Sequence, residues 1–482
     1  MSDASITEAF APLFAPKTVA VVGASASGEG NANTFIRRMR EYGYAGKIYP
    51  IHPSAAEIDG LAAYRSLAEA PEPIDYAYIA IGAANVPKLL AAANGRVRVA
   101  QVISSGFGEI GEGKALQEQL VAAAREGGCR LIGPNCLGTY STRGRLTFVE
   151  NGLTEIGSVG VVSQSGGLGT DIVRRGQVRG LRFSGLVTVG NSADVNANDL
   201  LEFYLADVQT KVIGLYLEAV RDGRRFFEIL REARAKKPIV VLKGGRTRQG
   251  GLAAASHTGA LAGDDRVWVA LSHQTGCILV DTLDQFIDTV LAFQMLAPRA
   301  DRPTQRVVMF GNGGGTSVLA TDCFSRLGLD VTPFDPPTLD ALAALKLPPG
   351  SSIVNPIDTP VWTLQQEEGL IAEKILDVIY ATARPEALVM HLNMAAFVGS
   401  VKGDVLGNLM QVTLRIQSKY PGRAHFVLVL RSDGEIEVDT RKREFREQAI
   451  ALGIPVFDEM ANAGQALAAL QRHEWFVNRR TV

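Results

Sequence analysis

The chain has 482 residues, 46% hydrophobic and 21% charged, with a formal net charge of −1. That is length for about three domains and composition for a full apolar core. The near-neutral balance gives no electrostatic case for nucleic acid or an anionic membrane as partner. Cys129, Cys136, Cys277 and Cys323 include no CxxC pair, the N-terminus has no signal-like pattern, and no apolar run reaches membrane-spanning length. Together these read as a cytoplasmic protein with reduced thiols.

Apolar strands alternate with helical stretches from the start, the pattern of βαβ units and parallel sheets. A first block, residues 1–145, offers strands TVAVVG (18–23), KIYPI (47–51), YAYIAI (76–81) and VAQVIS (99–104), and closes near RLIGPNCLGTYS (130–141). Its first strand enters VVGASASGEGNAN (21–33), a Gly-rich turn before a helix. The spacing there is G-x-x-x-x-G rather than G-x-G-x-x-G, and no GK[ST] follows. The second strand ends in YPIHP, with His52 and no acid for a ribose 2′-OH. Hydride transfer with NAD is disfavoured; another adenine-containing ligand, such as coenzyme A, stays open. SSGFGEIGEG (104–113) and GPNCLG (133–138) fall at the ends of later strands, the ligand-facing edge of an open α/β sheet. Cys136 lies there with no His near it in sequence to activate it.

A second block, 150–297, opens with GSVGVVSQSGG (157–167) and has strands at 183–190, 212–218 and 238–245. The polar stretch LAPRADRPTQR (296–306) reads as a linker. A third block, 305–482, opens with VVMFGNGGGTSVLATD (307–322) and adds strands at 387–394, 424–430 and 453–457. VVSQSGGLGTD and VMFGNGGGTSVLATD share one plan: strand, Gly-rich turn, helix. Each presents a helix N-terminus at a strand's carboxyl end, a seat for an anion and most often phosphate. Taken singly, either reads more readily as a tight turn with nothing bound. Ser165, Gly166 and Gly167 form the first seat, and Gly313, Gly314 and Gly315 the second.

Within the second block, AAASHTGALAG (253–263) places His257 among small residues between a strand and a helix, which reads as a loop. A neutral imidazole is a competent nucleophile near pH 7, and a carboxylate on its other nitrogen would fix the tautomer. Glu218, at the end of the apolar strand GLYLE, is the candidate carboxylate. A surface-loop histidine and a half-exposed strand-end glutamate are the alternatives. His273, in a helical stretch, reads as packing, and His391, His425 and His473 are scattered. No His/Cys/Asp set has metal-ligand spacing, so no protein metal site is expected. DTRKREFREQ (439–448) reads as a solvated helix face.

The motifs VGAS, SGFGE, GPNCLG, SQSGGLG, VGNSADVNANDLLEFYLAD, KVIGLYLEAV, AAASHTGALAG, GNGGGTSVLATD and NPID (355–358) occur in one order over residues 15 to about 460. In that order the chain resembles the NDP-forming acyl-CoA synthetases, relatives of succinyl-CoA synthetase, and among them the α subunits of the ADP-forming acetyl-CoA enzymes. The resemblance implies a Rossmann-like CoA-binding domain followed by two flavodoxin-like domains. It implies that His257 carries a phosphoryl group and that Glu218 steadies it. The family passes phosphate from acyl phosphate to histidine and then to a nucleoside diphosphate, reversibly. By the same resemblance Ser165–Gly167 and Gly313–Gly315 hold phosphate, while Gly23, Ser25, Ser27, Ser105, Gly106 and Asn135 hold CoA. Gly133 lies at the thioester end and Asn191 contacts the carboxylic acid. This sequence departs from the family pattern at YPIHP and at GNGGGTS. No stretch after residue 460 reads as an ATP-grasp module. The expectation is therefore an α subunit in a hetero-oligomer, with ATP, ADP and Mg2+ handled by a separate ATP-grasp β subunit. A CoA-binding regulator that has lost turnover is the alternative, against which the intact SHTG and Glu218 argue.

Overall fold

The computed structural model describes residues 3–258, 264–398 and 404–481, with side chains throughout except at 255–258, 480 and 481. Two compact units divide the chain, 1–286 and 287–482. The first contains two sheets. Strands β1 (Thr18–Val22), β2 (Lys47–Ile51), β3 (Ile74–Ile79), β4 (Val97–Val102) and β5 (Arg130–Ile132) form a parallel sheet in the order β2-β1-β3-β4-β5. Beyond β2, Tyr64 makes a single parallel bridge to Ile51. Counting that bridge as a strand, the order is the Rossmann order, its third strand reduced to one residue.

The second sheet holds β6 (Gly138–Tyr140), β7 (Val159–Ser163), β8 (Phe183–Thr188), β9 (Val212–Leu217), β10 (Ile239–Lys243) and β11 (Ile278–Val280). Its order is β11-β10-β9-β7-β8-β6, with only β6 antiparallel. Without that edge strand this is the flavodoxin order. β1, β7, β8, β9 and β10 are buried at every position. Parallel strands covered by helices on both faces read as continuous apolar runs, which is why they are legible in sequence. Glycine in β9 and β7 makes room for rings: a Cβ on Gly214 would meet Phe286 at 2.5 Å, and one on Gly160 would meet Tyr204 at 2.4 Å.

The second unit repeats the flavodoxin order with β12 (Val307–Gly311), β13 (Ile357–Asp358), β14 (Ala387–Asn393), β15 (His425–Arg431) and β16 (Val456–Phe457), ordered β13-β12-β14-β15-β16 and all parallel. The stretch read as a linker is tied down within this unit. Arg299 N–H and Thr304 N–H donate to the Glu474 carboxylate at 2.8 and 2.6 Å, and the His425 ring lies 3.1 Å from the same group. Burial pushes the Glu474 carboxyl up, but these hydrogen bonds prevail and hold it below its usual range. Two sequence readings change here. Arg446, in the charge run taken as a solvated face, is buried and paired with Asp458. His273, read as packing, is exposed.

Candidate functional site

In open α/β sheets, ligands bind where the strand order reverses, at the strands' carboxyl ends. The first sheet reverses between β1 and β3. There a cleft of 510 Å³ is lined by Gly23, Gly30, Asn31, Ala32, Gly82, Ser105 and neighbours. Gly23 has φ +97°, and a Cβ on it would lie 2.3 Å from the Ala80 carbonyl oxygen. Only glycine fits that closeness. Asn33 shapes the turn: Ser25 N–H donates to its Oδ1 at 2.7 Å, and its Nδ2 donates to Ser25 O and to the Asp59 carboxylate. The Ser25 and Ser27 hydroxyls lie 2.7 Å apart. The helix Asn31–Glu41 begins at Gly30 with no side-chain cap, so its first N–H groups point into a glycine-lined cleft. That is the seat a pyrophosphate needs. His52 is not part of it; its Nδ1 accepts N–H bonds from Ser54 and Ala55.

The second sheet reverses between β7 and β9. Beside that point, where the turns after β7 and β8 meet GPNCLG, a cleft of 270 Å³ is lined by Ile103, Asn135, Cys136, Leu137, Gln164, Ser165, Gly166, Gly167, Gly190 and Asn191. Ile103 belongs to both clefts, so they adjoin. GPNCLG and the turn after β8 are clasped together: Asn191 N–H and Ala193 N–H donate to Pro134 O and Gly133 O at 3.0 and 2.9 Å. A Cβ on Gly190 would lie 2.2 Å from Asn135 O, which requires the glycine. Cys136 is buried, and burial pushes its thiol up to about 12, so it stays protonated and is no nucleophile at neutral pH.

Ser165 caps the helix Gly166–Arg179, its Oγ accepting from Leu168 N–H at 3.3 Å. Its hydroxyl is thus engaged with the helix. The N–H groups of Gly166 and Gly167 have no intrahelical carbonyl one turn back, the arrangement that suits an anion. One residue earlier, Gln164 reaches across to the end of β9. Its Oε1 accepts the N–H groups of Glu218 and Ala219, the latter at 2.9 Å, and its Nε2 donates to Ala219 O at 2.7 Å. Tyr216 OH donates to the Glu218 carboxylate at 2.9 Å. Burial and that carboxylate push the Tyr216 phenol up, so it remains a donor. Lys243 Nζ donates to Glu218 O at 2.8 Å; burial lowers its pKa. Sequence reasoning missed Gln164, Tyr216 and Lys243. Tyr216 was recoverable: residues two apart on a strand share a face, so YLE places its tyrosine beside its glutamate.

The backbone at His257 falls in the helix Arg248–Thr258, not in a loop. The side chain of His257 lies outside the described residues, as do residues 259–263. The strand before this segment and the helix after it are joined, because Arg246 pairs with both Asp265 and Asp281. In the second unit, Gly313 has φ +125° and starts the helix Gly314–Arg326 without a side-chain cap. Its N–H is taken by the Asp358 carboxylate at 2.7 Å, so part of that predicted anion seat is filled by the protein's own acid. Among the described residues, no cluster of three or more His, Cys, Asp or Glu side chains could hold a metal ion, and no helix is long and apolar enough to cross a membrane.

These sites fall inside recognisable families. Residues 17–142 match a CoA binding domain, and residues 156–293 match a succinyl-CoA ligase like flavodoxin domain. The chain is 37% identical over 475 residues to the Pyrococcus furiosus protein named acetate–CoA ligase [ADP-forming] I subunit alpha, covering 95% of this chain and 96% of that one. The chain belongs to the NDP-forming acyl-CoA synthetase family. A second P. furiosus relative, subunit alpha of acetate–CoA ligase [ADP-forming] II, is 36% identical, covering 72% of this chain and 75% of its own length. The fold matches the dinucleotide-forming acetyl-coenzyme A synthetase 1 of Ca. Korarchaeum cryptofilum, solved with phosphate and ADP. That match has a TM-score of 0.82 and 28% identity, and covers 98% of this chain and 99% of that one. As a synthetase of this family the chain is an acid–thiol ligase with a CoA-binding domain.

In this synthetase, Gly23→Ala is expected to weaken CoA binding about tenfold or more, since the new Cβ must displace the Ala80 carbonyl and hold a disfavoured φ. Isothermal titration with CoA reads this. An unchanged affinity would remove the β1 turn from the cofactor site.

Proposed function

We propose that the chain is the α subunit of an ADP-forming acyl-CoA synthetase that works with an ATP-grasp β subunit. It interconverts a small carboxylic acid, CoA and ATP with acyl-CoA, ADP and phosphate. The observation that carries the reading is the adjoining pair of clefts at Ile103. CoA held along Gly23, Ser25, Ser27, Ser105 and Gly106 can extend past Asn135 and Gly133, so that its thioester end reaches the helix start at Ser165–Gly167.

The chain's groups then divide the work. Gly166 and Gly167 N–H groups and the positive end of their helix neutralise the charge on inorganic phosphate as it displaces CoA and on the acyl phosphate that results. His257 takes the phosphoryl group on a ring nitrogen while the carboxylate leaves as the acid. Glu218, held by Tyr216 and Gln164, bonds the other ring nitrogen and balances its positive charge. The phosphohistidine is delivered to ADP in the β subunit, where Mg2+ would accompany the nucleotide. Gly314 and Gly315 offer a second set of helix N–H groups for phosphate.

The test is intact mass of the purified chain after exposure to phosphate and a panel of acyl-CoAs. The expected result is an acid-labile phosphoryl adduct with at least one thioester and equimolar CoA release. Binding of CoA without any adduct, even with the β subunit present, would leave a CoA-binding regulator instead.

A further inference from the structure

We infer that Glu109 sets the acid specificity of this site: acting through Asn191, it makes the acyl cleft reject a second carboxylate. The inference rests on the reading that the acyl group occupies the cleft beside Ser165.

Asn191 lines that cleft. Its Nδ2 donates to the Glu109 carboxylate and, at 2.9 Å, to Gln117 Oε1. A primary amide has two N–H donors, and both are committed. The orientation follows from the partners. A carboxylate can only accept, and Gln117 Oε1 also accepts Gly108 N–H at 3.2 Å. What Asn191 has left for a ligand is Oδ1, an acceptor. A neutral or hydroxyl-bearing acyl tail tolerates an acceptor; a carboxylate offers only acceptors of its own and cannot pair with it.

The charge on Glu109 acts the same way. Its carboxylate takes N–H bonds from Gly106 and, at 3.1 Å, from Phe107. Burial pushes its carboxyl up, but the Asn191 and backbone hydrogen bonds outweigh that and hold it below the usual range. Glu109 is therefore an anion at neutral pH, bonded directly to the group that faces the acyl chain. Arg221 donates to the backbone carbonyls of Asn191 and Ala193 at 3.0 and 3.5 Å and leaves the Asn191 amide donors to Glu109 and Gln117. Two carboxylates about 6 Å apart at an effective dielectric near 20 repel enough to cost about a hundredfold in affinity. Glu109 thus acts through Asn191 and the field it sets, as a specificity-determining residue.

The experiment compares butyryl-CoA, succinyl-CoA and the methyl ester of succinyl-CoA, with inorganic phosphate and the full chain. Butyryl and succinyl share a four-carbon chain and differ at the far end, CH₃ against COO⁻. The readout is the rate of phosphoryl adduct formation by intact mass. Wild type is expected to favour butyryl-CoA over succinyl-CoA about a hundredfold and to accept the methyl ester at least about tenfold better than the free acid. In Glu109→Gln the new amide meets Asn191 as a donor and turns it over, presenting Nδ2 to the cleft. The butyryl-to-succinyl ratio should then fall about tenfold or more, mainly through KM for succinyl-CoA. Each ratio is taken within one variant, so a general loss of rate cancels. If Glu109→Gln does not fold, the wild-type ester comparison decides. An unchanged ratio in Glu109→Gln, or equal rates for succinyl-CoA and its ester in wild type, would overturn the assignment while leaving the ligase reading in place. No adduct with any thioester would overturn the ligase reading and this inference with it.

Discussion

The His257→Ala chain is expected to gain no phosphoryl mass with any acyl-CoA, and the assembled enzyme to lose more than about 10⁴-fold in ATP formation. The loss is that large because the proposed carrier is covalent: without the His257 ring nitrogen the proposed route has no phosphoryl acceptor, and the acyl phosphate stays on the α subunit. Glu218→Gln is expected to cost less, about 10²–10³-fold in the rate of adduct formation. Glutamine keeps the volume and still accepts from Tyr216 OH, so the turn held by Gln164 survives. It loses the negative charge that balances a phosphorylated imidazole and selects its tautomer. Rapid-quench measurement of the adduct in both variants separates the two roles. An adduct of full amplitude in His257→Ala would place the carrier elsewhere. A Glu218→Gln rate equal to wild type would reduce Glu218 to a strand-end residue.

Acidification is expected to destabilise the second unit well before its carboxylates titrate. His391 and His473 are buried, and burial lowers both rings to about 4. Arg431 adds to the depression at His391, while Glu474 opposes it at His473. In the unfolded chain each histidine titrates near about 6.5. A base with a depressed folded pKa binds its proton more readily when unfolded. Its contribution to stability is therefore fully present above about 6.5 and is lost as pH falls toward 4. Each ring contributes about 3 kcal/mol over that window. Glu474 has the opposite chemistry but the same direction: its depressed carboxyl supports folding above its unfolded value of about 4.3 and fails only below it. The fall between pH 6.5 and 4.5 therefore belongs to the histidines. Urea unfolding at pH 7.5, 6 and 5 should show a falling midpoint, and a His391→Gln/His473→Gln variant should flatten it. The same slope in that variant would assign the effect to other groups.

The sequence by itself determined the class and order of the elements. Strands buried on both faces read as apolar runs, so β1, β9, β10, β14 and β15 were placed within a residue or two. Gly-rich turns at their ends marked the ligand-facing edges because left-handed and close-packed backbone admits little else, as at Gly23 and Gly190. His257 and Glu218 stood out from their local pattern, and the family followed from motif order.

Only the tertiary structure decided what those residues touch. The Rossmann order rests on one bridge at Tyr64, too short to leave a period in the sequence. His391, His425 and His473 looked scattered, yet each is buried, because burial depends on neighbours far along the chain. Ser165 Oγ accepts Leu168 N–H and so caps its own helix, a contact that the residue pattern alone did not reveal. Gln164 meets Glu218, and Glu109 meets Asn191, across separations of 54 and 82 residues. Hydrogen bonds that side chains make to other turns carry no periodicity. They exist only once the strands have set their turns side by side at the carboxyl ends of the sheets.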